Sequence, residues 1–390
     1  MRRYLIFLLL IIPFLNSCVS DDCSDCADMA YDTKVKLHVI WPRSLSSNTT
    51  KSGNDDIYIN NFTLFVFNND GTLNTVKKVN NPSGPVPYST SVSMNITSAA
   101  TYIYAIANCN DLLTASPTST IAQQVNANMN NLKAYFDSTL SVGVDSLFEG
   151  SQLMLTGYTD AIIQNGSNPY QYAATVYLKP IVSKFDIKVS SIGTTPSDYI
   201  NCIDNIEVFV LNSRSKAKLF SPNTNSPYLH GKYETFWSPY PYVNFGFKDT
   251  NNQNSNLSKP IPYTAGSLPF STTELSIYSP ENDTISSLGS QHKTLVVLKI
   301  KYKMRTIEGT DEVFYRFLTV PLKPPTGSTL SNKRGTRYTI NYTLSGKYFG
   351  AMSPLSSMMQ PYSPLPYKTT KNLIYVEPED YSKVKSSEWK

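Results

Sequence analysis

The chain repeatedly alternates apolar and polar residues over short runs, and this alternation limits the folds open to it. In the run Lys34–Trp41, for example, Val35, Leu37 and Val39 alternate with charged or polar residues. Such a period of two places the apolar side chains on one face, as in a half-buried strand. Other runs of strand character occupy residues 57–67, 73–79, 102–107, 175–178, 185–189, 203–211, 275–278, 293–304, 313–322, 338–344 and 372–376. The pattern predicts an all-β protein.

Local signals refine this prediction. The pair Asp70-Gly71 separates two strand runs and is typical of a tight hairpin, because glycine adopts a positive φ at low cost. Residues 121–136 are the best helix candidate, since apolar residues recur there near helical spacing. These are Val125, Met129, Leu132 and Phe136. Residues 221–266 are rich in Pro, Tyr and Asn and are predicted to form surface loops.

The first residues resemble a bacterial lipoprotein signal. The run Leu5–Leu15 is apolar except for Pro13 and is too short to span a bilayer as a stable helix. It is followed by Leu15-Asn16-Ser17-Cys18, which resembles a lipobox. We therefore expect residues 1–17 to be a signal peptide, Cys18 to carry the lipid, and the acidic residues 18–33 to form a tether. The alternative is an ordinary secreted protein that is cut elsewhere.

Four cysteines remain once Cys18 is assigned to lipid. Cys23 and Cys26 form a C-x-x-C pair without further nearby ligands, so a zinc site is disfavoured and no metal is expected. A disulfide between them, a mixed pairing with Cys109 or Cys202, or solvated thiols in the tether all remain open.

The bulk properties restrict the function further. A chain of 390 residues favours two domains, and no later run approaches 18 apolar residues. The net charge of +5, with 16% charged residues, does not suggest nucleic-acid binding. No common catalytic or nucleotide-binding motif occurs, and Ser213-Arg214-Ser215-Lys216 matches S-x-x-K without its partner motifs. We therefore expect no enzymatic activity and no cofactor.

The order of these segments resembles the fimbrillins, the subunits of Bacteroidetes-type pili. The acidic residues after Cys18 also resemble the surface-export signal of lipoproteins from those bacteria. Five stretches carry the resemblance to fimbrillins, and together they cover most of the chain in the family's order. They are Cys18–Trp41, Ile59–Phe67 with Asp70-Gly71, Tyr102–Asn108, Val176–Val189, and Asn332–Gly335 with Tyr338–Leu344.

The chain departs from the family pattern at two positions. Lys179-Pro180 stands where an arginine is common, and Arg334-Gly335 stands where Arg-Asn is usual. The cysteine-rich start resembles anchor and accessory subunits, whereas the long tail after Gly346 resembles the stalk subunits. The resemblance therefore leaves stalk, tip and anchor roles open.

The resemblance implies a fold and a function. The expected fold is two consecutive transthyretin-like β-sandwich domains, at 34–173 and 174–350, followed by an extended tail at 351–390. The expected function is that of a structural subunit of a cell-surface fimbrium, exported as an outer-membrane lipoprotein and active in adhesion. The implied partners are other pilus subunits, the outer membrane through the Cys18 lipid, and a ligand on a host or bacterial surface.

The resemblance also implies assembly by donor-strand exchange. In such pilins a protease cuts after an arginine, the first strand leaves, and a neighbour's tail fills the groove. Arg43-Ser44 is the corresponding candidate cleavage site, with a plain turn arginine as the equally weighted alternative. The candidate donor strand is Leu373, Ile374, Tyr375 and Val376, which could instead pair with the chain's own second domain.

The sequence is also compatible with a function from another class. A surface lipoprotein could bind glycans or host proteins without polymerising, with the tyrosines of residues 221–266 stacking on sugars. Tyrosines in loops are often simply packed, so this alternative ranks second. Proteolysis separates the two, because a pilus subunit should then form ladders or filaments.

Overall fold

A computed structural model describes residues 33–40, 59–80, 89–97, 99–109, 120–149, 152–164, 171–191, 203–222, 226–232, 252–261, 273–282, 294–305, 311–322, 332–344 and 378–380. Cys18, Arg43, Ser44 and the segment Leu373–Val376 lie outside these ranges. In the described part of the chain, no helix has the length and apolar character needed to span a bilayer.

Strands dominate the described chain. The first block contains β1 Thr33–Ile40, β2 Asn61–Asn68, β3 Leu73–Asn80, β4 Ser89–Ile96, β5 Ala100–Ala107, β6 Ser141–Gly143, β7 Phe148–Glu149, β8 Gln152–Leu153, β9 Leu155–Thr159, β10 Ile163–Gln164, β11 Gln171–Tyr177 and β12 Lys179–Pro180. The second block contains β13 Val182–Ser191, β14 Ile203–Leu211, β15 Ser213–Arg214, β16 Lys216–Lys218, β17 Tyr228–Gly231, β18 Gln253–Asn254, β19 Ser258–Pro260, β20 Thr273–Pro280, β21 Leu295–Arg305, β22 Asp311–Pro321, β23 Thr336–Leu344 and β24 Pro378–Asp380. Two helices, α1 Thr120–Ala127 and α2 Leu132–Ser138, lie between β5 and β6, and 3-10 turns occupy Met129–Asn131, Val144–Ser146 and Ser255–Leu257.

Two sheets of the first block share one hydrophobic core. Their strand orders are β10-β11-β1-β4 and β12-β9-β5-β2-β3. Alternate residues of β1, β2, β4, β5 and β11 supply the core because each strand turns one face inward. The core residues are Val35, Leu37, Val39, Ile59, Phe62, Leu64, Val66, Val92, Met94, Ile96, Ile103, Ala105, Ala107, Leu155, Ala174, Val176 and Leu178.

The second block repeats this strand arrangement. Its larger sheets have the orders β20-β13-β23-β24 and β19-β14-β21-β22. β13 runs parallel to β23 and antiparallel to β20, just as β1 runs parallel to β11 and antiparallel to β4. Likewise, β14 lies between β19 and β21 as β2 lies between β3 and β5. The two blocks therefore have the same topology for seven strands each.

The predicted hairpin between β2 and β3 is confirmed. Gly71 adopts a φ of 84°, which a side chain would strain. Asp70 accepts hydrogen bonds from the Thr72 hydroxyl at 2.6 Å and from the Thr72 N–H at 2.9 Å. These bonds lower the pKa of the exposed Asp70 carboxyl below its ordinary value, and the bond from the hydroxyl contributes most. Local chemistry thus specifies this turn.

The two sheets of the first block meet closely at Gly157 on β9. A Cβ atom added there would lie 2.3 Å from the carbonyl oxygen of Tyr177 on β11. Backbone cannot yield to such a contact without a shift of the strand. The absence of a side chain at this position therefore lets the two sheets close against each other.

The predicted helix at 121–136 is broken in the structure. It divides into α1 and α2, with a 3-10 turn between them. Asn128 donates its side-chain amide to the carbonyl of Gln124 at 2.7 Å, a local bond of the kind that competes with helix continuation. Val125, Leu132 and Phe136 are buried, whereas Met129 is 41% exposed because it lies in the break.

Two other predictions need correction. Of residues 175–178, expected to open the second block, 175–177 belong to β11, which pairs in parallel with β1 of the first block. The stretch 221–266, expected to be surface loops, contributes β17, β18 and β19 in its described parts. His230 and Leu257 of this stretch are buried. Both errors arise because pairing with distant strands is invisible to local patterning.

A segment of the second block runs along the first. β16 pairs antiparallel with β6. The N–H of Leu219 donates to the carbonyl of Leu140 at 2.9 Å, and the Thr156 hydroxyl donates to the carbonyl of Leu219 at 2.7 Å. Phe220 then stacks on Phe136 with ring centroids 5.3 Å apart. The blocks are therefore joined by hydrogen bonds as well as by apolar contact.

Candidate functional site

β1 occupies an interior position in its sheet. Its residues Lys34–Ile40 pair in parallel with β11, and Thr33–Ile40 pair antiparallel with β4. Both of its backbone edges are therefore engaged. If this strand left, two facing strand edges would lose their hydrogen-bond partners, and a groove one strand wide would open.

The inner face of β1 completes the core of the first block. Val35 is 1% exposed, and Leu37 and Val39 are fully buried. They belong to the same apolar cluster as Phe62 and Leu64 from the facing sheet. The groove left by β1 would therefore contain apolar pockets at alternate residues, which suits another extended segment with apolar side chains at the same spacing.

The outer face of β1 is polar and lies in solvent. Lys36 and His38 are exposed. The Nδ1 atom of His38 lies 3.0 Å from the Ser91 hydroxyl of β4. Because surface contacts of this kind contribute little free energy, the binding energy of this strand comes mainly from the inner face and the two backbone ladders.

The structure agrees with the predicted first strand, and the candidate cleavage site follows that strand closely in the sequence. β1 ends at Ile40, and only Trp41 and Pro42 separate it from Arg43 in the sequence. Arg43 and Ser44 themselves lie outside the described residues, as does Cys18. A cut after Arg43 would break the covalent link between β1 and the rest of the fold.

The tail contributes one described strand. Pro378–Asp380 form β24, which pairs antiparallel with Thr336–Tyr338 of β23. Pro378 stands at the strand-initial position, which proline tolerates. The candidate donor residues Leu373–Val376, just before it, lie outside the described residues.

The serine and the lysine of the S-x-x-K match differ in exposure. Ser213 is buried, and its hydroxyl lies 2.9 Å from that of Ser279. Lys216 is exposed on β16. His230 is buried and accepts a hydrogen bond from the N–H of Asn212 at 3.2 Å. Across the described ranges, no group of three or more His, Cys, Asp or Glu residues could hold a metal ion.

Arg334 plays a structural role that the sequence analysis did not identify. Its Nε lies 2.5 Å from the carboxylate of Glu281, which is only 4% exposed. Its two terminal nitrogens donate to the carbonyls of Leu219 and Ser221 at 2.9 and 2.5 Å. Arg334 thus holds in place residues 219–221 of the second block, which lie against the first block. No local sequence signal points to this role, because its partners are 53 to 115 residues away.

Comparisons with known proteins point to one family. Residues 33–180 match the sequence model of the family described as major fimbrial subunit protein (FimA). This match begins at β1 and ends at β12, so it spans the first block. No curated protein sequence matches the chain.

Several solved structures are similar to the whole described fold. A candidate cell adhesion protein from Bacteroides eggerthii has 16% sequence identity and a TM-score of 0.54, over 89% of this chain and 95% of that one. A fimbrilin (FimA) from Porphyromonas gingivalis has 13% identity and a TM-score of 0.47, over 81% and 92%. The tip fimbrial protein Mfa3 from Porphyromonas gingivalis has 12% identity and a TM-score of 0.44, over 80% and 95%. At these identities the first match shows a shared fold, and the other two are similarities only.

Proposed function

We propose that this chain, whose residues 33–180 match the FimA family model, belongs to the fimbrillin superfamily and is a structural, non-catalytic subunit of a cell-surface fimbrium with a role in adhesion. Its partners are other fimbrial subunits, which it joins by donor-strand exchange. The observation that carries this proposal is the position of β1. That strand is central in its sheet and apolar on its inner face.

The repeated topology supports β1 as the exchangeable strand. β13 has the equivalent position in the second block, but it lies between β12 and β14 in the chain and is held covalently at both ends. β1 is preceded by the expected tether and followed by Arg43. One cut after Arg43 therefore releases β1, whereas no single cut releases β13.

A subunit whose groove holds a donor strand should have a lower free energy than one whose groove is open. Without β1, the facing edges of β4 and β11 would have unpaired N–H and C=O groups beside an exposed apolar core. A supplied strand restores both backbone ladders and refills the apolar positions. The opened subunit therefore has a strong drive to accept the tail of a neighbour.

Cleavage after Arg43 is the first test of this proposal. Treating the full-length protein with an arginine-specific protease should give a new N terminus at Ser44, followed by a ladder of polymers on mild denaturing gels. Arg43→Ala should block both events, while Lys51→Ala, at a nearby basic residue, should block neither. Wild-type assembly by the Arg43→Ala protein would contradict the proposal. A native N terminus at lipidated Cys18 in assembled fimbriae would instead assign an anchor role.

We further propose that the chain comprises two consecutive transthyretin-like β-sandwich domains. The repeated order of seven strands and the two-sheet core of the first block support this division. The boundary expected at 174 moves to just after Pro180, because β11 and β12 pair with strands of the first block. Residues 34–180 then form the first domain, residues 181–350 the second, and residues 351–390 the tail.

Export as an outer-membrane lipoprotein completes the proposal. The lipobox-like residues support attachment of lipid to Cys18, and several acyl chains anchor stably at about 0.8 kcal/mol per buried methylene. A clickable fatty-acid analogue should label the wild-type protein in cells, and Cys18→Ser should abolish the label. Cys23→Ser serves as the matched control and should keep it. Equal labelling of the Cys18→Ser protein would contradict lipidation at this residue.

A further inference from the structure

Tyr104 on β5 and Tyr158 on β9 form an aromatic surface patch on the outer face of these strands, away from β1. Its most exposed member is Tyr158 on β9, with 59% of its surface in solvent. The directly opposite residue on β5 is Tyr104. The two rings stack with centroids 5.8 Å apart and an interplanar angle of 24°. One face of Tyr158 is therefore supported by protein while the ring as a whole remains accessible.

Tyr104 is a rigid support for that ring. It is only 4% exposed, and Phe136 and Phe220 contact its ring edge-to-face at 5.8 and 4.9 Å. Its hydroxyl donates a hydrogen bond to the carboxylate of Asp137. Burial is the main cause, and this hydrogen bond the second, that raises the pKa of the Tyr104 phenol far above its ordinary value. The hydroxyl therefore remains a donor. The exposed ring is thus pre-organised, which lowers the entropy cost of binding a ligand.

Two charged groups lie beside the rings. The Lys133 ammonium is 2.7 Å from the Asp137 carboxylate, and these side chains are 20% and 43% exposed. The same ammonium lies 4.4 Å from the centre of the Tyr102 ring. The pair offers solvent-facing donors and acceptors. Its charges cancel, so the patch favours a neutral ligand over a phosphate or an acidic peptide.

We propose that Tyr158, Lys133 and Asp137 form a carbohydrate-binding site, in which the Tyr158 ring stacks on a pyranose and the charged pair binds its hydroxyl groups. A pyranose has a face of C–H bonds and an edge of hydroxyls, and this combination matches an aromatic platform with polar groups beside it. The proposal deepens the adhesive role of the proposed fimbrial subunit. It assigns that role to the first block rather than to the tyrosines of residues 221–266.

The chain supplies a matched control. Tyr177 on β11 is also 59% exposed. Saturation-transfer NMR on the full-length protein would use methyl β-galactopyranoside, methyl α-mannopyranoside, diacetylchitobiose, and acetyl-tyrosine amide as a peptide-like probe. We expect at least one glycoside to bind, Tyr158→Ala to weaken its binding by about ten-fold or more, and Tyr177→Ala to leave it unchanged. Tyr158→Phe keeps the ring and should keep most of the affinity.

Several results would overturn the site. They are the absence of binding by every glycoside, binding of the peptide-like probe alone, equal losses in Tyr158→Ala and Tyr177→Ala, or unchanged binding in Tyr158→Ala. Filament formation by the same variants is scored separately and should be unaffected. Failed assembly with intact, Tyr158-dependent glycoside binding would count against the fimbrial proposal and not against this site.

Discussion

Replacing Leu37 by aspartate should unfold the first block, whereas the same replacement at Lys36 should leave it folded. Leu37 is fully buried in the core between the two sheets, while Lys36 on the same strand is exposed. Truncation alone, Leu37→Ala, should lower the free energy of unfolding by about 2–5 kcal/mol. A buried carboxylate adds the cost of desolvating an unpaired charge, which exceeds the stability of many domains.

Urea unfolding of Leu37→Ala and Lys36→Ala gives the measurement, because both variants should remain soluble. The Leu37→Ala midpoint should fall clearly, and the Lys36→Ala midpoint should stay within experimental scatter. Equal shifts for the two variants would mean that β1 does not insert its inner face into the core. The donor-strand proposal would then lose the apolar pockets on which it depends.

Residues whose environment is decided locally were predictable from the sequence. The alternation in Lys34–Trp41 identified β1 and its buried face, since the inner face of a strand follows from a period of two. Asp70-Gly71 identified the hairpin, since few other pairs accept its backbone angles. For the candidate site, this local information was enough to identify the strand that β4 and β11 enclose. It was not enough to identify those two neighbours.

Other features depend on residues that are far apart in the sequence, and no local sequence pattern indicates them. The parallel pairing of β11 with β1 joins residues 137 positions apart, such as Lys34 and Gln171. Arg334 depends on Glu281 and on two carbonyls of the second block. The Tyr158 patch likewise required the register of β5 against β9. Each of these arises from tertiary pairing, which overrides or ignores local propensity.

Deleting residues 368–390 should abolish entry into filaments while leaving a folded, exported and lipidated protein. The deleted segment contains the candidate donor residues Leu373–Val376, which as an extended strand would present apolar side chains on both faces, as a groove within a sandwich requires. It also removes β24, but that strand has only three residues and, among the described strands, pairs only with β23. Losing its few hydrogen bonds should cost about 2 kcal/mol, which a folded domain tolerates.

Two shorter changes separate the donor role from the loss of β24. Removing residues 381–390 keeps both the candidate donor strand and β24, so assembly should continue. The double substitution Leu373→Asp and Tyr375→Asp keeps β24 but puts charges on one face of the donor strand. Because an apolar groove cannot solvate those carboxylates, assembly should fail. Normal filaments from the double variant or from the 368–390 deletion would show that another segment occupies the groove left by β1.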